Sequence, residues 1–162
     1  MPTAWRLVRA EHAAAAFDGE GARLAGSRWN SVGVRMVYTT DTPTTAALEI
    51  LAQDVRYEYL LAGWVIIAVE FPPGAVQVLD PGTLPPDWDA LPWPASTRAI
   101  GDAWIASRAS LVLQVPSAIT AFQVNYLINP AHPAFPRDLN RGPAQPYRFP
   151  PRLLAKLRAG AS

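Results

Sequence analysis

Residues 19–49 read GEGARLAGSRWNSVGVRMVYTTDTPTTAALE, and three successive patterns in this stretch decide the fold. A glycine-rich loop comes first. Residues 34–39 then favour a β-strand, because they are rich in β-branched and aromatic side chains. A helix is predicted over about residues 43–53, with Thr42 as its N-cap and Pro43 at its first helical position.

The rest of the chain continues this mixture of strands and helices. Strands are predicted over residues 5–9 and 111–115, and the apolar run 64–71 indicates a central strand buried on both faces. The proline-rich residues 72–94 predict an ordered surface loop with one short strand at 76–79. One more helix should run from an N-cap at Ser96 or Thr97 to about Ala109, and another over residues 150–158. Because the order shows no regular βαβ period, we expect a single α+β domain over residues 1–162.

The composition excludes several classes of protein. The 162 residues suffice for one hydrophobic core, and no apolar run approaches the roughly 18 residues of a membrane-spanning helix. The first residues lack the features of a secretory signal, and without cysteine there is no disulfide framework. A net charge of +1 without a basic stripe argues against nucleic-acid binding, and two histidines without HExxH spacing argue against a metal site. We therefore expect a cytoplasmic protein that binds neither membrane, nucleic acid nor metal.

Three side chains of the opening stretch form a candidate site: Arg28, Tyr38 and Glu49. An arginine presents a planar fork of donors that suits phosphate. A tyrosine can stack on a flat ring or donate a hydrogen bond. A cation, an aromatic plane and a carboxylate on successive elements are the groups that a phosphorylated ligand with flat rings requires.

Two environments are open to Glu49. The apolar side chains of its predicted helix share one face at helical spacing, and Glu49 falls on the other side. These apolar side chains are Ala47, Ile50, Leu51 and Val55. A carboxylate in that position either meets solvent, as helical glutamates usually do, or lines a cleft.

Polar residues also follow the later strand at 111–115. Ser117 stands just past its end, a common place for a binding residue, although a turn serine that bonds the local backbone fits the same position. Asn125 and Asn129 are likewise typical of turns.

Five blocks of sequence resemble the RES domain family, which is named for its Arg, Glu and Ser. The first three are G-S-R-W-N at 26–30, V-Y-T at 37–39 and A-A-L-E at 46–49. The others are L-V-L-Q-V-P-S at 111–117 and N-Y-L-I-N-P-A-H-P at 125–133. The matching blocks extend from about residue 5 to 133 in the family's order. Two positions depart from the pattern: Ser27 stands where the family often has glycine, and Gln123 where it often has an acidic residue.

The resemblance implies a fold like that of the ADP-ribosyltransferases, with mixed sheets and flanking helices, and a toxin that degrades NAD+. NAD+ would be a substrate whose nicotinamide–ribose bond is cleaved, by phosphorolysis or hydrolysis, and no cofactor is implied. Arg28, Tyr38, Glu49 and Ser117 are the implied catalytic set. Arg28 would pair with the pyrophosphate, Tyr38 would orient the nicotinamide and Glu49 would stabilise the ribose. Substrate contacts are expected from five residues: Arg28, Trp29, Asn30, Tyr38 and Asn125.

The implied partner is an Xre-type helix–turn–helix antitoxin that blocks the cleft by contact. Trp88, Trp93 and the basic C-terminal segment offer the apolar and cationic surface that such a contact uses. Two other functions stay open: ADP-ribosylation of a protein, and a catalytically silent module that binds a ligand or a partner. Assembly into a homo-oligomer also stays open.

Overall fold

A computed structural model describes residues 1–160, which form eight strands and six α-helices. The strands are β1 (Thr3–Arg9), β2 (Val37–Thr40), β3 (Trp64–Glu70), β4 (Val76–Val78), β5 (Val112–Pro116), β6 (Val124–Ile128), β7 (Asn140–Arg141) and β8 (Gln145–Tyr147). The helices are α1 (Glu20–Ala25), α2 (Pro43–Leu51), α3 (Tyr57–Leu61), α4 (Ala95–Ser107), α5 (Phe135–Asp138) and α6 (Pro151–Gly160). Within the described residues no helix has the length and apolar character needed to cross a membrane.

All eight strands belong to one sheet, in the order β4-β5-β6-β2-β1-β3-β7, with β8 also paired to β3. β4 and β5 are parallel, whereas the other pairs are antiparallel. The sheet is therefore mixed, and the helices are interspersed among its strands. This confirms the predicted α+β class.

The strand register divides the apolar side chains between the two faces of the sheet, because alternate residues point to opposite sides. One face carries a cluster around Val37, Ile67, Val69 and Ile128. The other face carries two separate clusters. The α2 cluster consists of Leu7, Ala46, Ala47, Leu60, Trp64, Ile66, Phe149 and Leu154. The α4 cluster consists of Trp29, Met36, Trp104, Leu113, Val115 and Leu127.

Most predicted elements are present, with corrected bounds. β2 begins at Val37 rather than at residue 34, and α2 ends at Leu51. Thr42 caps α2 as expected, since its side chain accepts a hydrogen bond from the Thr45 amide. The predicted cap of α4 at Ser96 or Thr97 is wrong. The helix already begins at Ala95, and Pro94 is its N-cap residue without a side-chain hydrogen bond.

Candidate functional site

The candidate site lies on the face of the sheet that holds the α2 and α4 clusters. Thr40 on β2 pairs with Asn125 on β6, and Val115 on β5 pairs with the same asparagine. Tyr38 lies two residues before Thr40, so its side chain points to the same face. Asn125 therefore lies on the same face of the sheet as Tyr38, with Thr40 of β2 on one side and Val115 of β5 on the other.

Glu49 on α2 contacts the sheet through Asn125. Its Oε1 accepts a hydrogen bond of 2.9 Å from Asn125 Nδ2. The carboxylate is half-buried, and the helix presents its apolar residues to the α2 cluster. Glu49 is therefore not fully solvated, and its place in a cleft stays a prediction. Asn125 Oδ1, by contrast, is buried and has no hydrogen-bond partner among the described residues.

Arg28 is held by the backbone of the proline-rich loop. Its Nη1 donates to the carbonyl oxygens of Trp88 at 2.7 Å and Ala90 at 2.9 Å. Burial lowers the pKa of Arg28, and the nearby charge of Glu49 opposes that shift. No residue in the described part of the chain accepts a hydrogen bond from Nε or Nη2, so that edge of the fork keeps its donors. Nη1 is therefore held by the loop, while Nε and Nη2 keep their donors, and the charges of Glu49 and Asp89 both act on the guanidinium.

The hydroxyl of Tyr38 forms hydrogen bonds with residues 28–31, which we call the Arg28 segment. It donates to Asn30 Oδ1 at 2.7 Å and accepts from the Trp29 amide at 3.1 Å. Burial raises the pKa of Tyr38 well above its ordinary value, although hydrogen bonds from Trp29 and Ser27 oppose the shift. The phenol therefore stays protonated at neutral pH, and only its half-buried ring can serve a ligand.

Trp29 and Asn30 are packed inside the protein. Trp29 belongs to the α4 cluster, and the side chain of Asn30 is completely buried. Asn30 Nδ2 contacts the carbonyl oxygens of Ala22, Ser31 and Val34. Both polar atoms of the Asn30 side chain are used inside the protein, and Trp29 is only 2% exposed, so both residues shape the segment that presents Arg28.

Ser117 is buried just past β5, and its hydroxyl oxygen accepts hydrogen bonds from the amides of Ile119 and Thr120, both at 3.2 Å. These bonds match the turn interpretation of this serine. The described residues provide no acceptor for its hydroxyl proton, which is the group it can offer to a ligand.

Gln123 makes a contact that an acidic residue could not make. When the side-chain amide of Gln123 is turned so that its nitrogen faces Asp41, this nitrogen donates to Asp41 Oδ1 at 3.1 Å and to Oδ2 at 2.6 Å. Asp41 Oδ2 also accepts from the Val124 amide at 3.1 Å. A carboxylate at position 123 would repel Asp41, so this departure from the family pattern keeps the turn before Asn125 in place.

Sequence reasoning missed three residues of α4 that contact the Arg28 segment: Thr97, Gly101 and Asp102. Only Gly101 carries a signal, because glycine is unfavourable inside a helix and indicates a close approach. A Cβ at this position would lie 1.6 Å from the carbonyl oxygen of Trp29. Thr97 and Asp102 look like ordinary helical residues until their partners are known.

The candidate site is separate from a groove elsewhere on the protein. A groove of about 680 Å³ lies between α3, β8 and α6, and its lining includes Leu60, Leu154 and Arg158. Among residues 1–160 there is no group of three or more His, Cys, Asp or Glu side chains arranged to hold a metal ion.

Comparison with known proteins identifies relatives over most of the chain. The family model described as RES domain matches residues 3–150. A protein named Toxin Res from Photorhabdus laumondii is 35% identical over 137 residues, which are 84% of this chain and 86% of the relative. Toxin Res from Yersinia enterocolitica is 32% identical over 149 residues, 92% of this chain and 97% of the relative. The Prs ADP-ribosylating toxin of a Sphingobium species is 32% identical over 157 residues, with 94% and 96% covered.

A solved structure has the same fold. One chain of the crystallised MbcT–MbcA toxin–antitoxin complex from M. tuberculosis superimposes with a TM-score of 0.70 and 22% identity. The match covers 97% of this chain and 88% of that chain. Since the family model spans residues 3–150 and several relatives match over most of their length, this chain belongs to the RES domain family.

Proposed function

We propose that this chain is the toxin of a toxin–antitoxin pair and that it degrades NAD+ by cleaving the bond between nicotinamide and ribose. The relatives named Toxin Res support the toxin class. One observation carries the finer activity. The Glu49 carboxylate, hydrogen-bonded by Asn125, lies within electrostatic reach of Arg28, whose guanidinium keeps one donor edge uncommitted in the described structure.

Cleavage needs a group that stabilises positive charge on the ribose. The bond between ribose C1′ and the nicotinamide nitrogen breaks, and its electron pair goes to that nitrogen, which loses its positive charge. The ribose then resembles an oxocarbenium ion, which a carboxylate stabilises. Glu49 supplies that carboxylate or holds a ribose hydroxyl. The acceptor oxygen, from phosphate or water, bonds to C1′; water also releases a proton.

The remaining polar groups match the other parts of NAD+. The Nε and Nη2 edge of Arg28 suits the pyrophosphate, because an arginine fork binds phosphate oxygens in pairs. Asn125 Oδ1, a buried acceptor without a partner among the described residues, would receive a hydrogen bond from the ligand. Tyr38 would orient the nicotinamide through its ring. Ser117 would donate its hydroxyl proton to the ligand or to the acceptor phosphate.

Transfer of ADP-ribose to a protein is the second candidate. It is favoured by the similarity to the Prs ADP-ribosylating toxin, at 32% identity over 94% of this chain. The same Glu49 and Arg28 geometry would serve it, since only the acceptor differs.

One assay separates these activities. The purified chain is incubated with NAD+, with and without phosphate, and the products are resolved by chromatography. Nicotinamide with ADP-ribose-1-phosphate indicates phosphorolysis, nicotinamide with free ADP-ribose indicates hydrolysis, and label retained on a protein indicates transfer. If NAD+ persists under all conditions, including with added cell extract as a source of protein acceptors, the silent binding module becomes the better interpretation.

An antitoxin is the proposed partner, and an Xre-type helix–turn–helix protein is the proposed kind. The similar fold in the MbcT–MbcA toxin–antitoxin complex supports an antitoxin as the partner. Trp88 packs against the α4 cluster, whereas Leu91 and Trp93 of the same loop are exposed to 77% and 39%. We expect expression of the chain alone to deplete cellular NAD+ and arrest growth. Co-expression with its antitoxin should restore both.

A further inference from the structure

Helix α4 contacts the backbone of the Arg28 segment at successive positions. Thr97, which is completely buried, donates its hydroxyl proton to the Arg28 carbonyl oxygen at 2.6 Å. Asp102 accepts from the Ser31 amide at 2.9 Å and from the Ser31 hydroxyl at 2.6 Å. Between them, Gly101 lets the helix touch the backbone of Trp29. Thr97 and Asp102 therefore hold the Arg28 segment on either side of the point where Gly101 contacts it.

The chain just before α4 holds the other end of Arg28. The carbonyl oxygens of Trp88 and Ala90 accept from its guanidinium, and Ser96 on α4 donates to Asp87 Oδ1 at 2.7 Å. The backbone and the charged tip of Arg28 thus rest on one unit, made of α4 and the loop that leads into it. Glu49 lies on a different helix, so this unit sets the distance between the two charges.

We infer that Thr97 and Asp102 are positioning residues that hold Arg28 in the orientation that binds the ligand. This inference rests on the proposed function, in which Arg28 pairs with the pyrophosphate. An arginine has many rotamers, and a site gains affinity when surrounding contacts remove that freedom before binding. Loss of the Thr97 hydroxyl removes the donor to the Arg28 carbonyl oxygen, together with the second contact of this hydroxyl, at 3.1 Å to the Pro94 carbonyl oxygen. The segment is then free to shift.

Three variants and one control test the inference. Thr97→Val keeps the shape of the side chain and removes the donor, whereas Thr97→Ser keeps the donor. Asp102→Asn weakens the second attachment. Ser107→Ala is the matched control, because its hydroxyl lies on the same helix and donates to the Trp104 carbonyl oxygen at 2.7 Å, away from the Arg28 segment.

The expected result is a change in NAD+ binding without a matching change in kcat. An arginine that holds the pyrophosphate equally in ground and transition states affects KM alone. Thr97→Val should raise KM for NAD+ about tenfold, as expected for one hydrogen bond to a buried group. Asp102→Asn should raise it to a smaller extent, and Thr97→Ser and Ser107→Ala should match the wild type. Thermal melting measured in parallel identifies a variant that fails to fold.

A second measurement does not depend on NAD+. Phenylglyoxal modifies accessible arginines, and mass spectrometry follows the rate at Arg28. This rate should increase several-fold in folded Thr97→Val and stay at the wild-type value in Thr97→Ser. An unchanged KM together with an unchanged modification rate would overturn the positioning role. A wild-type chain that leaves NAD+ intact while Thr97→Val still accelerates modification would overturn the proposed activity and leave the positioning role standing.

Discussion

The side chains of the candidate site fall into two groups by what their polar atoms already contact. Tyr38 and Asn30 use their polar groups on each other and on the backbone. Arg28, Asn125 and Ser117 each retain at least one donor or acceptor without a partner in the described part of the chain. Residues of the first group should therefore affect stability when changed, and residues of the second group should affect ligand binding.

Glu49→Gln should abolish NAD+ cleavage while the fold persists. The glutamine oxygen can still accept from Asn125 Nδ2, so the change removes the charge and keeps the hydrogen bond. Turnover of NAD+ by the purified variant is the measurement, with thermal melting as a check on folding. Glu58→Gln is the matched control, because Glu58 is exposed on α3. Wild-type turnover in Glu49→Gln would remove Glu49 from the mechanism.

Arg28→Lys should weaken NAD+ binding by roughly 1–3 kcal/mol, the range for a charged hydrogen bond. A lysine keeps the charge, but one ammonium cannot both hold the Trp88 and Ala90 carbonyl oxygens and pair with two phosphate oxygens. Calorimetry measures the affinity for NAD+, and both proteins compared carry Glu49→Gln so that NAD+ is not cleaved during the titration. Arg98→Lys, which changes a donor to the Trp93 carbonyl oxygen, is the control. Equal affinity would indicate that Arg28 is structural.

Tyr38→Phe should change how stability depends on alkaline pH. Burial raises the pKa of Tyr38 above the ordinary 10.0, so the folded state keeps a proton that the unfolded state loses. The contribution of Tyr38 to the free energy of unfolding therefore falls as pH rises above about 10, whereas Arg6, whose pKa burial lowers to about 10, contributes in the opposite direction. Burial also raises the pKa values of Tyr126 and Tyr147, so the variant should lose part of this dependence. Urea unfolding at several alkaline pH values measures it, and an unchanged slope would contradict the assignment.

Secondary-structure elements meet most closely where α4 crosses the Arg28 segment. Gly101 makes this possible, since any side chain there would overlap the Trp29 carbonyl. The contact joins a helix after the proline-rich loop to a segment before β2. It therefore links two distant parts of the chain beside the site.

Gly101→Ala should destabilise the protein although alanine favours helices. The added Cβ would lie 1.6 Å from a backbone oxygen, so α4 or the Arg28 segment must move. This cost should exceed the gain of about 0.5–1 kcal/mol that the same change brings in an unhindered helix. Gly21→Ala in α1 is the control, because nothing lies within 4 Å of its added Cβ. A lower melting temperature for Gly101→Ala alone is the expected result, and equal melting temperatures would argue against the close approach.

The sequence predicted the elements better than their contacts. The β-branched run of β3 and the Thr42–Pro43 start of α2 are local patterns, and the structure confirms both. The start of α4 was wrong because Thr97 looks like a cap, whereas its hydroxyl bonds the distant Arg28 carbonyl. The loop carbonyls that hold Arg28 could not be predicted, since backbone oxygens have no residue signature.

Charge is distributed unevenly over the whole molecule. No Asp or Glu follows Asp138, whereas several cations do: Arg141, Arg148, Arg152, Lys156 and Arg158. Because the net charge of the chain is only +1, the part before this segment carries a net negative charge. Within the described residues no ion pair joins α6 to a carboxylate of the same chain, so its cations are available to an acidic partner.

Charge reversal on α6 should slow association with the antitoxin. Arg152→Glu combined with Lys156→Glu changes two exposed cations, and surface charges act mainly on association rates that depend on salt. We expect slower association at low salt, a weaker salt dependence and unchanged NAD+ turnover. Surface plasmon resonance at several salt concentrations measures the rates. An association rate equal to that of the wild type at low salt would exclude α6 from the interface.

The separation of the two apolar clusters on one sheet face has a consequence for how the protein tolerates mutation. Glu49, Asn125 and Arg28 belong to neither cluster. Apolar side chains of these clusters, other than Trp29 beside Arg28, can therefore be exchanged for others of similar volume without altering the polar groups of the candidate site, and such exchanges usually cost little stability. Apolar residues of the interior can therefore vary while the polar groups of the neighbouring candidate site stay the same.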